Sequence, residues 1–493
     1  MPIKNGQFVL DRSRSKRKAE NILGVTHGDA AVNKAFRRRD LEEVTKYLES
    51  TQYDHLSDWN TKGVDGNAIP TKQRKPILIY NLAKTMSDTV GSKLLGQRVF
   101  PSFSIDEDPL SAELFKHVMK ITDLKTKALD MSKDLPAYGS GFLRFKISDV
   151  NKTLVPILEK YNPNICYPEF DSAGGLNLMV VKYIYEDLED VDEKGNPKQK
   201  WYKLELGKQV DILYNNPEAN DDGAEPEFEV VSSVRHDFGF VQGEWFKTGE
   251  DKHLPDGPSL VGEVLDFIDA FNYSISKSDR AVDYNQEPQL VINGMMGDEL
   301  DDLIKSSLSA WALGREGKAE YLESNLGGVE TATKLRDKFR ENIGDITRII
   351  IQDPEKLIGS AQSAKAMEIL HGPLLDLIDE IRPYVEKGII SLGQKMVAAI
   401  LLTVEKGFEV SGVSIPEGYM PISLNLVALW PPVFPMTMTD LQQKVSTGAQ
   451  AAQANVISRE TVTKWLAKDF GIENVEEEIA KIAAQPVINP FAF

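Results

Sequence analysis

An α+β fold built around long helices is what this sequence predicts, on three observations. Residues 258–285 and 330–351 place apolar side chains every three or four positions, the spacing of a single helical stripe. From about Ala137 to Phe240 the texture changes to the alternation of half-buried strands. The second half then returns to helical periodicity, punctuated by prolines that demand bends or breaks.

At the N-terminus, residues 1–40 form a basic arm with ten basic and four acidic side chains. RRRDLEEVTKYLES and the stretch 76–95, closed by Gly96, read as helices, and helix is expected again over 111–135. AYGSGFLRFKIS opens the strand block; NLMVVKYIYEDL, KWYKLELGKQVDILYN and FEVVSSVRHDFGF continue it between polar turns. Two of those turns, near Asp187 and Asp221, are strongly acidic. Neither has the central glycine and closing glutamate of a twelve-residue calcium loop, which leaves them as solvated hairpin loops.

The first long helix opens at the Asp-Gly-Pro-Ser turn and carries the stripe Leu260, Val264, Phe267, Phe271 and Ile275. Over residues 258–285 it would be about 40 Å long at 1.5 Å per residue. A compact insert, 286–329, follows: strand PQLVING, a short helix over 299–307, and strand-like AWALGR and AEYLES. In the second long helix, 330–351, the stripe is Leu335, Phe339, Ile343, Ile346 and Ile350, with five basic and four acidic residues on the other faces. Each helix has a charged face that must meet water or a neighbouring subunit. Pro354 and Gly359 break helix over 352–362. A third helix is expected from Ser363 to about Glu405, kinked at Gly372-Pro373 and Pro383. MPISLNLVALWPPVFP is expected to return a strand to the earlier sheet. The end is helical, with Ser458 capping RETVTKWLAKDF and Asn474 with Glu477 making a capping-box start.

With 41% apolar residues the chain can bury ordinary cores. Its single cysteine, Cys166, precludes an intrachain disulfide and fits a reducing compartment, and an apolar signal segment is missing, so a cytoplasmic origin is expected. The longest apolar run, residues 388–404, is short for a bilayer and contains Gln394 and Lys395, which points to a buried helix and no membrane. A net charge of −18 argues against a protein that coats DNA phosphates; the arm holds +6, so the rest carries −24. RSRSKRK (12–18) and RRR (37–39) could touch nucleic acid or an acidic surface, or serve as a solvated arm and a helix start.

Motifs for chemistry are sparse. The phosphate-cradling Gly-x-x-x-x-Gly-Lys-Ser/Thr does not occur, and GREGK (314–318) lacks its spacing and hydroxyl. The six histidines are scattered without metal-ligand spacing, so no metal and no cofactor are expected. GSG at 139–141 suits close backbone packing rather than a nucleophile elbow. Abundant carboxylates leave a metal-dependent nuclease open as a minor alternative.

The order of parts, with four local echoes, resembles the portal proteins of tailed bacteriophages, of the type found in Bacillus phage SPP-one. YNLAKTMSDTVGSKLLGQ from Tyr80 looks like that family's early helix ending in Leu-Gly. DGPSLVGEVLDFIDAFNYSISKSDRAV from Asp256 is similar to its Leu-Ile-Asp-x-Tyr-Asn-x-x-x-Ser helix, with Phe271 in the aromatic place. AQSAKAMEI resembles the Ser-Gly-x-Ala-Leu that starts its kinked helix, departing at Ala364 and Met367, and VISRETVTKWLAKDFGIENVEEEIAKI resembles its closing Ile-Ser-x-Glu-Thr segment.

The resemblance implies a portal fold of wing, stem, clip and crown, assembled as a ring of about twelve subunits at one capsid vertex, through which double-stranded DNA is packaged and ejected. It implies a basic arm (1–40), wing (41–257), stem helix (258–285), clip (286–329), stem helix (330–351), tunnel loop (352–362), kinked wing helix with returning strand (363–435) and crown (436–493). Glu355, Lys356, Leu357, Ile358, Gly359, Ser360 and Lys365 would face DNA in the channel; Asp298, Glu299, Asp301 and Asp302 would put acidic charge on the clip. The implied partners are further copies of the chain, the terminase large subunit, a head-tail adaptor, the major capsid and scaffolding proteins, and non-specifically bound DNA. The implied location is the virion, with the host cytoplasm during assembly. Another head-tail connector ring protein is the main alternative, separable because a smaller connector lacks two long helices around an insert.

Overall fold

The computed structural model describes residues 30–58, 73–104, 109–150, 153–219, 225–251, 254–286, 289–293, 318–322, 327–350, 368–405, 409–410, 415–416, 419, 426–433, 438–467, 470, 472 and 475–484. It is the mixed α+β fold that the sequence predicts.

Helix α1 spans Ala30–Glu49 and α2 Leu82–Leu95. The second starts six residues later than 76 because Asn81 caps it, its Oδ1 accepting from Lys84 N at 2.8 Å. Residues 76–81 run instead as a non-helical strap. The helical block expected over 111–135 is three pieces, α3 (Pro109–Ile121), α4 (Leu124–Ser132) and α5 (Asp134–Tyr138), with Asp123 in the left-handed region at φ 50° separating the first two.

Between α2 and α3 lies β1 (Ser102–Ser104). The strand block contributes β2 (Ser140–Val150), β3 (Thr153–Tyr161), β4 (Cys166–Phe170), β5 (Leu176–Val191), β6 (Pro197–Gly207), β7 (Val210–Tyr214), β8 (Val230–Arg235) and β9 (Gly243–Lys247). Strands β4 to β8 form one five-stranded antiparallel meander in sequence order. The turn between β5 and β6 is the solvated loop expected: Asp192 Oδ1 accepts from the backbones of Lys194 and Asn196, while Asp187 and Asp190 pair with Lys200. Residues 220–224 of the second acidic turn lie outside the described residues. The GSG motif does serve close packing. Gly139 has φ +78°, and a side chain there would collide with the Gly257 carbonyl.

After a 3₁₀ turn at Val261–Glu263, α6 occupies Leu265–Gln286. Seven residues of the helix expected from 258 are therefore turn; Ser259 Oγ accepts from Gly262 N at 2.9 Å. Strand β10 (Gln289–Asn293) pairs antiparallel with β11 (Lys318–Leu322), and α7 runs over Gly327–Thr347. The short helix expected over 299–307 lies outside the described residues.

Helix α8 is continuous over Gly372–Val404. Gly372-Pro373 does not kink it: Pro373 sits in its first turn, where a missing N–H costs nothing, and His371 separates it from the helical turn at 368–370. Pro383 does lie inside. By length and composition α8 is apolar enough to cross a membrane. Leu374, Ile378, Val385, Ile389, Leu392, Met396 and Ile400 are nevertheless buried in the main hydrophobic cluster, with residues of α2, α3, α4 and β2.

The strand return departs from expectation in one respect. Glu409–Val410 (β12) extends the four-stranded sheet β12-β3-β2-β9 by pairing parallel to β3, whereas Val427–Leu429 (β13) pairs with β1 in a separate ladder. Among the described residues three more helices follow: α9 (Met438–Gln453), α10 (Arg459–Ala467) and α11 (Val475–Ala484). Ser458 caps α10 as expected, accepting from Thr461 N at 3.1 Å; Asn474 lies outside the described residues.

Candidate functional site

The candidate site is the pair of long helices, and its foundation is a polar seam on α6. Residues 269, 272, 273 and 276 fall within about 100° of one another on a helix of 3.6 residues per turn. Asn272 Oδ1 accepts from Tyr80 N at 2.9 Å, and Ser276 Oγ accepts from Leu78 N at 3.1 Å, so α6 satisfies the backbone of the strap. Tyr273 donates to the Arg74 carbonyl at 3.0 Å. Asp269 accepts from Tyr47 OH at 2.8 Å and from Tyr53 OH at 2.6 Å, tying α6 to α1 and the turn after it.

This carboxyl group is pushed up to about 6: burial raises it, the two tyrosine hydroxyls oppose that, and Asp266 and Glu43 add to the rise. Burial and the nearby Asp269 also raise Tyr47 and Tyr53, which stay protonated donors. Apolar packing completes the anchor through Val261, Val264, Leu265, Ile268 and Phe271. The buried stripe is thus rotated from the expected one: Leu265 and Ile268 are buried, Phe267 only partly.

On the other side of α6, Ser274 Oγ reaches the Ala332 carbonyl of α7 at 3.5 Å, and Phe339 and Ile343 join the same core. Helix α7 ends at Thr347, and the chain turns at Arg348, φ 59°, whose guanidinium reaches Glu380 of α8 at 2.7 Å. At the opposite end of the pair the β10–β11 ladder pairs Asn293 with Lys318.

None of the site residues expected from sequence lies within the described residues. That holds for Glu355, Lys356, Leu357, Ile358, Gly359, Ser360 and Lys365 after α7, and for Asp298, Glu299, Asp301 and Asp302 between β10 and β11. The basic run 12–18 is also outside. The RRR triplet is described, and its first member is no surface cation. Arg37 is buried, donating through Nε and Nη2 to Asp256 and through Nη1 to the Cys166 carbonyl at 2.8 Å. Arg38 pairs with Glu42 one turn on. Cys166 is free and buried, and among the described residues no group of three or more His, Cys, Asp or Glu side chains could hold a metal.

Sequence reading missed the Asp269–Asn272–Ser276 seam because it tracked only the apolar stripe. The signal available was polar residues at helical spacing beside that stripe, on the side a core should cover.

A pair of long helices bracketing a hairpin, rooted in an α+β body, can be compared with known families. The model for "Phage portal protein, SPP1 Gp6-like" matches residues 33–486, which span every element above except the first turn of α1. The chain belongs to the phage portal protein family. No match is found among curated proteins. Portal proteins are structural, non-enzymatic components of the virion that sit at a capsid vertex and serve DNA packaging. Membership implies a ring oligomer associated with capsid and DNA.

Proposed function

We propose that about twelve copies of this portal chain form a ring whose α6–α7 pairs surround a channel for double-stranded DNA, entering during packaging and leaving at ejection. The clip segment between β10 and β11, with Asp298, Glu299, Asp301 and Asp302, docks the terminase large subunit and later the head-tail adaptor. The chain after α7, with Lys356 and Lys365, passes closest to DNA. The body contacts the major capsid and scaffolding proteins, and α9–α11 form the crown.

The observation that carries this reading is the family match over residues 33–486. Charge on α7 supports a conduit rather than a clamp. Its exposed Lys334, Asp337, Lys338, Glu341 and Asp345 mix both signs, and Lys338 pairs with Glu341 at 3.0 Å. A protein gripping 6 to 10 phosphates loses about 10³ to 10⁵ in affinity between 50 and 200 mM salt, a hold that a conduit must avoid.

Electron microscopy of the purified 55.0 kDa chain should show closed rings with a central hole and a mass on the order of 0.6 MDa. Particles built with Lys356→Ala portals should keep ring assembly but change the amount of DNA packaged or retained, less so at high salt, where the contact is screened. Normal filling at every salt concentration would remove Lys356 from the channel contact.

A further inference from the structure

Two apolar patches flank α6, and a single copy leaves both open. On the strap, Ile77, Leu78 and Tyr80 are 46%, 44% and 49% exposed although the strap backbone is fixed to Asn272 and Ser276. On α7, Leu335 is 50% and Ile346 39% exposed. These two residues are about three turns apart on one line of the helix, and Ile343 beside them is buried. Half of the α7 stripe is therefore covered within the chain and half is not.

The patches lie on opposite sides of α6. Its strap contacts are Asn272 and Ser276; its α7 contact is Ser274, two residues from each and so about 200° around the helix. Strap, α6 and α7 stack in that order, with Ile77, Leu78 and Tyr80 exposed on the strap and the Leu335–Ile346 line exposed along a flank of α7, within about 60° of the Ala332 position that faces α6. A ring of identical subunits needs a head-to-tail contact in which one surface meets a different surface of the next copy. Two distinct apolar surfaces, one on the strap and one on α7, meet that requirement, and water-exposed aliphatic and aromatic area supplies its driving force.

We infer that the strap of one copy, through Ile77, Leu78 and Tyr80, packs against the Leu335–Ile346 edge of α7 on the next copy. This rests on the ring reading above and names the surfaces that join neighbours beside the channel.

Leu78→Cys and Leu335→Cys test it with a short bis-maleimide, since the native Cys166 is buried. The double variant should cross-link into a ladder of multimers that ends at the ring. An equal mixture of the two single variants should give dimers only, and neither variant alone should cross-link to itself. Leu78→Asp and Leu335→Asp, both exposed within one copy, should keep the native circular dichroism while raising the concentration needed for rings by about tenfold or more. Rings of normal mass with no cross-link between copies would overturn the contact and leave the portal ring intact. Self-cross-linking of a single variant would overturn its head-to-tail sense. Wild-type protein that stays monomeric at every concentration would instead overturn the ring reading.

Discussion

Arg37 and Asp256 hold each other inside the protein, and Ser140 Oγ adds a third contact to the carboxylate at 2.6 Å. Removing one partner strands the other charge away from water, so Arg37→Ala should cost about 3 to 5 kcal/mol. Arg38→Ala, which breaks only an exposed pair with Glu42, should cost about 0 to 1 kcal/mol. Urea midpoints of the two variants decide it: equal losses would mean that the Arg37 pair is not the buried anchor described. Asp269 offers a second test, through pH. Its native value of about 6 lies above the roughly 3.9 of an unfolded aspartate, so between these values the folded chain binds more protons and stability falls as pH rises. The ionised form thus carries a penalty at pH 7 that is relieved on acidification toward pH 4. Asp269→Asn cannot titrate, whereas the buried Asp134, also pushed up to about 6, is common to both proteins and cancels. Between pH 7 and pH 5, denaturation midpoints should therefore move in favour of wild type relative to Asp269→Asn. An unchanged difference would show that Asp269 is not desolvated.

Among the elements, α8 shows packing overriding propensity. Gly388 and Gly393 lie mid-helix, where glycine is about 1 kcal/mol worse than alanine. A Cβ at Gly388 would press into the Phe246 ring of β9, and one at Gly393 into the Phe115 ring of α3. Overpacking costs about 1 to 3 kcal/mol, so Gly388→Ala and Gly393→Ala should both lower the thermal midpoint despite their better helix propensity. A higher midpoint for either would mean that the ring moves aside freely. This is also where sequence reading reaches its limit. Spacing alone revealed α8, the strand block and both long helices, because each buries a regular stripe or face. Boundaries set by single side chains were less legible: the Asn81 cap, the left-handed Asp123 and the Pro373 start each moved or broke an expected helix. The sheet return was misassigned because strand pairing depends on distant partners, and two residues, Glu409 and Val410, join β3 without any alternation to announce them.

At the scale of the whole molecule, the body, the unit of strap, α6 and α7, and the terminal helices differ in how far one chain can satisfy itself. The body buries a main core drawn from α1 through α8 and a second cluster under the β4–β8 sheet. Helices α9, α10 and α11 make their main contacts with one another, and Ala467 is their only buried apolar residue among the described ones. Val456, Trp465, Phe470 and Ile482 stay exposed on this short helical unit, and the Lys444 ammonium lies over the Trp465 ring at 4.9 Å. So little buried area among the described residues holds three helices together weakly, and in the ring proposed above the balance comes from neighbouring copies. Truncation after Pro435 separates the two contributions. The shortened chain should keep the thermal midpoint of the body, because that core loses no partner, while its rings dissociate at concentrations where full-length rings persist. Circular dichroism reads the first quantity and mass photometry on dilution reads the second. A fall in the body's midpoint would mean that α9–α11 pack on the core of their own chain. Rings equally resistant to dilution would mean that these helices contribute nothing to the assembly, leaving their exposed apolar residues to a partner other than another copy.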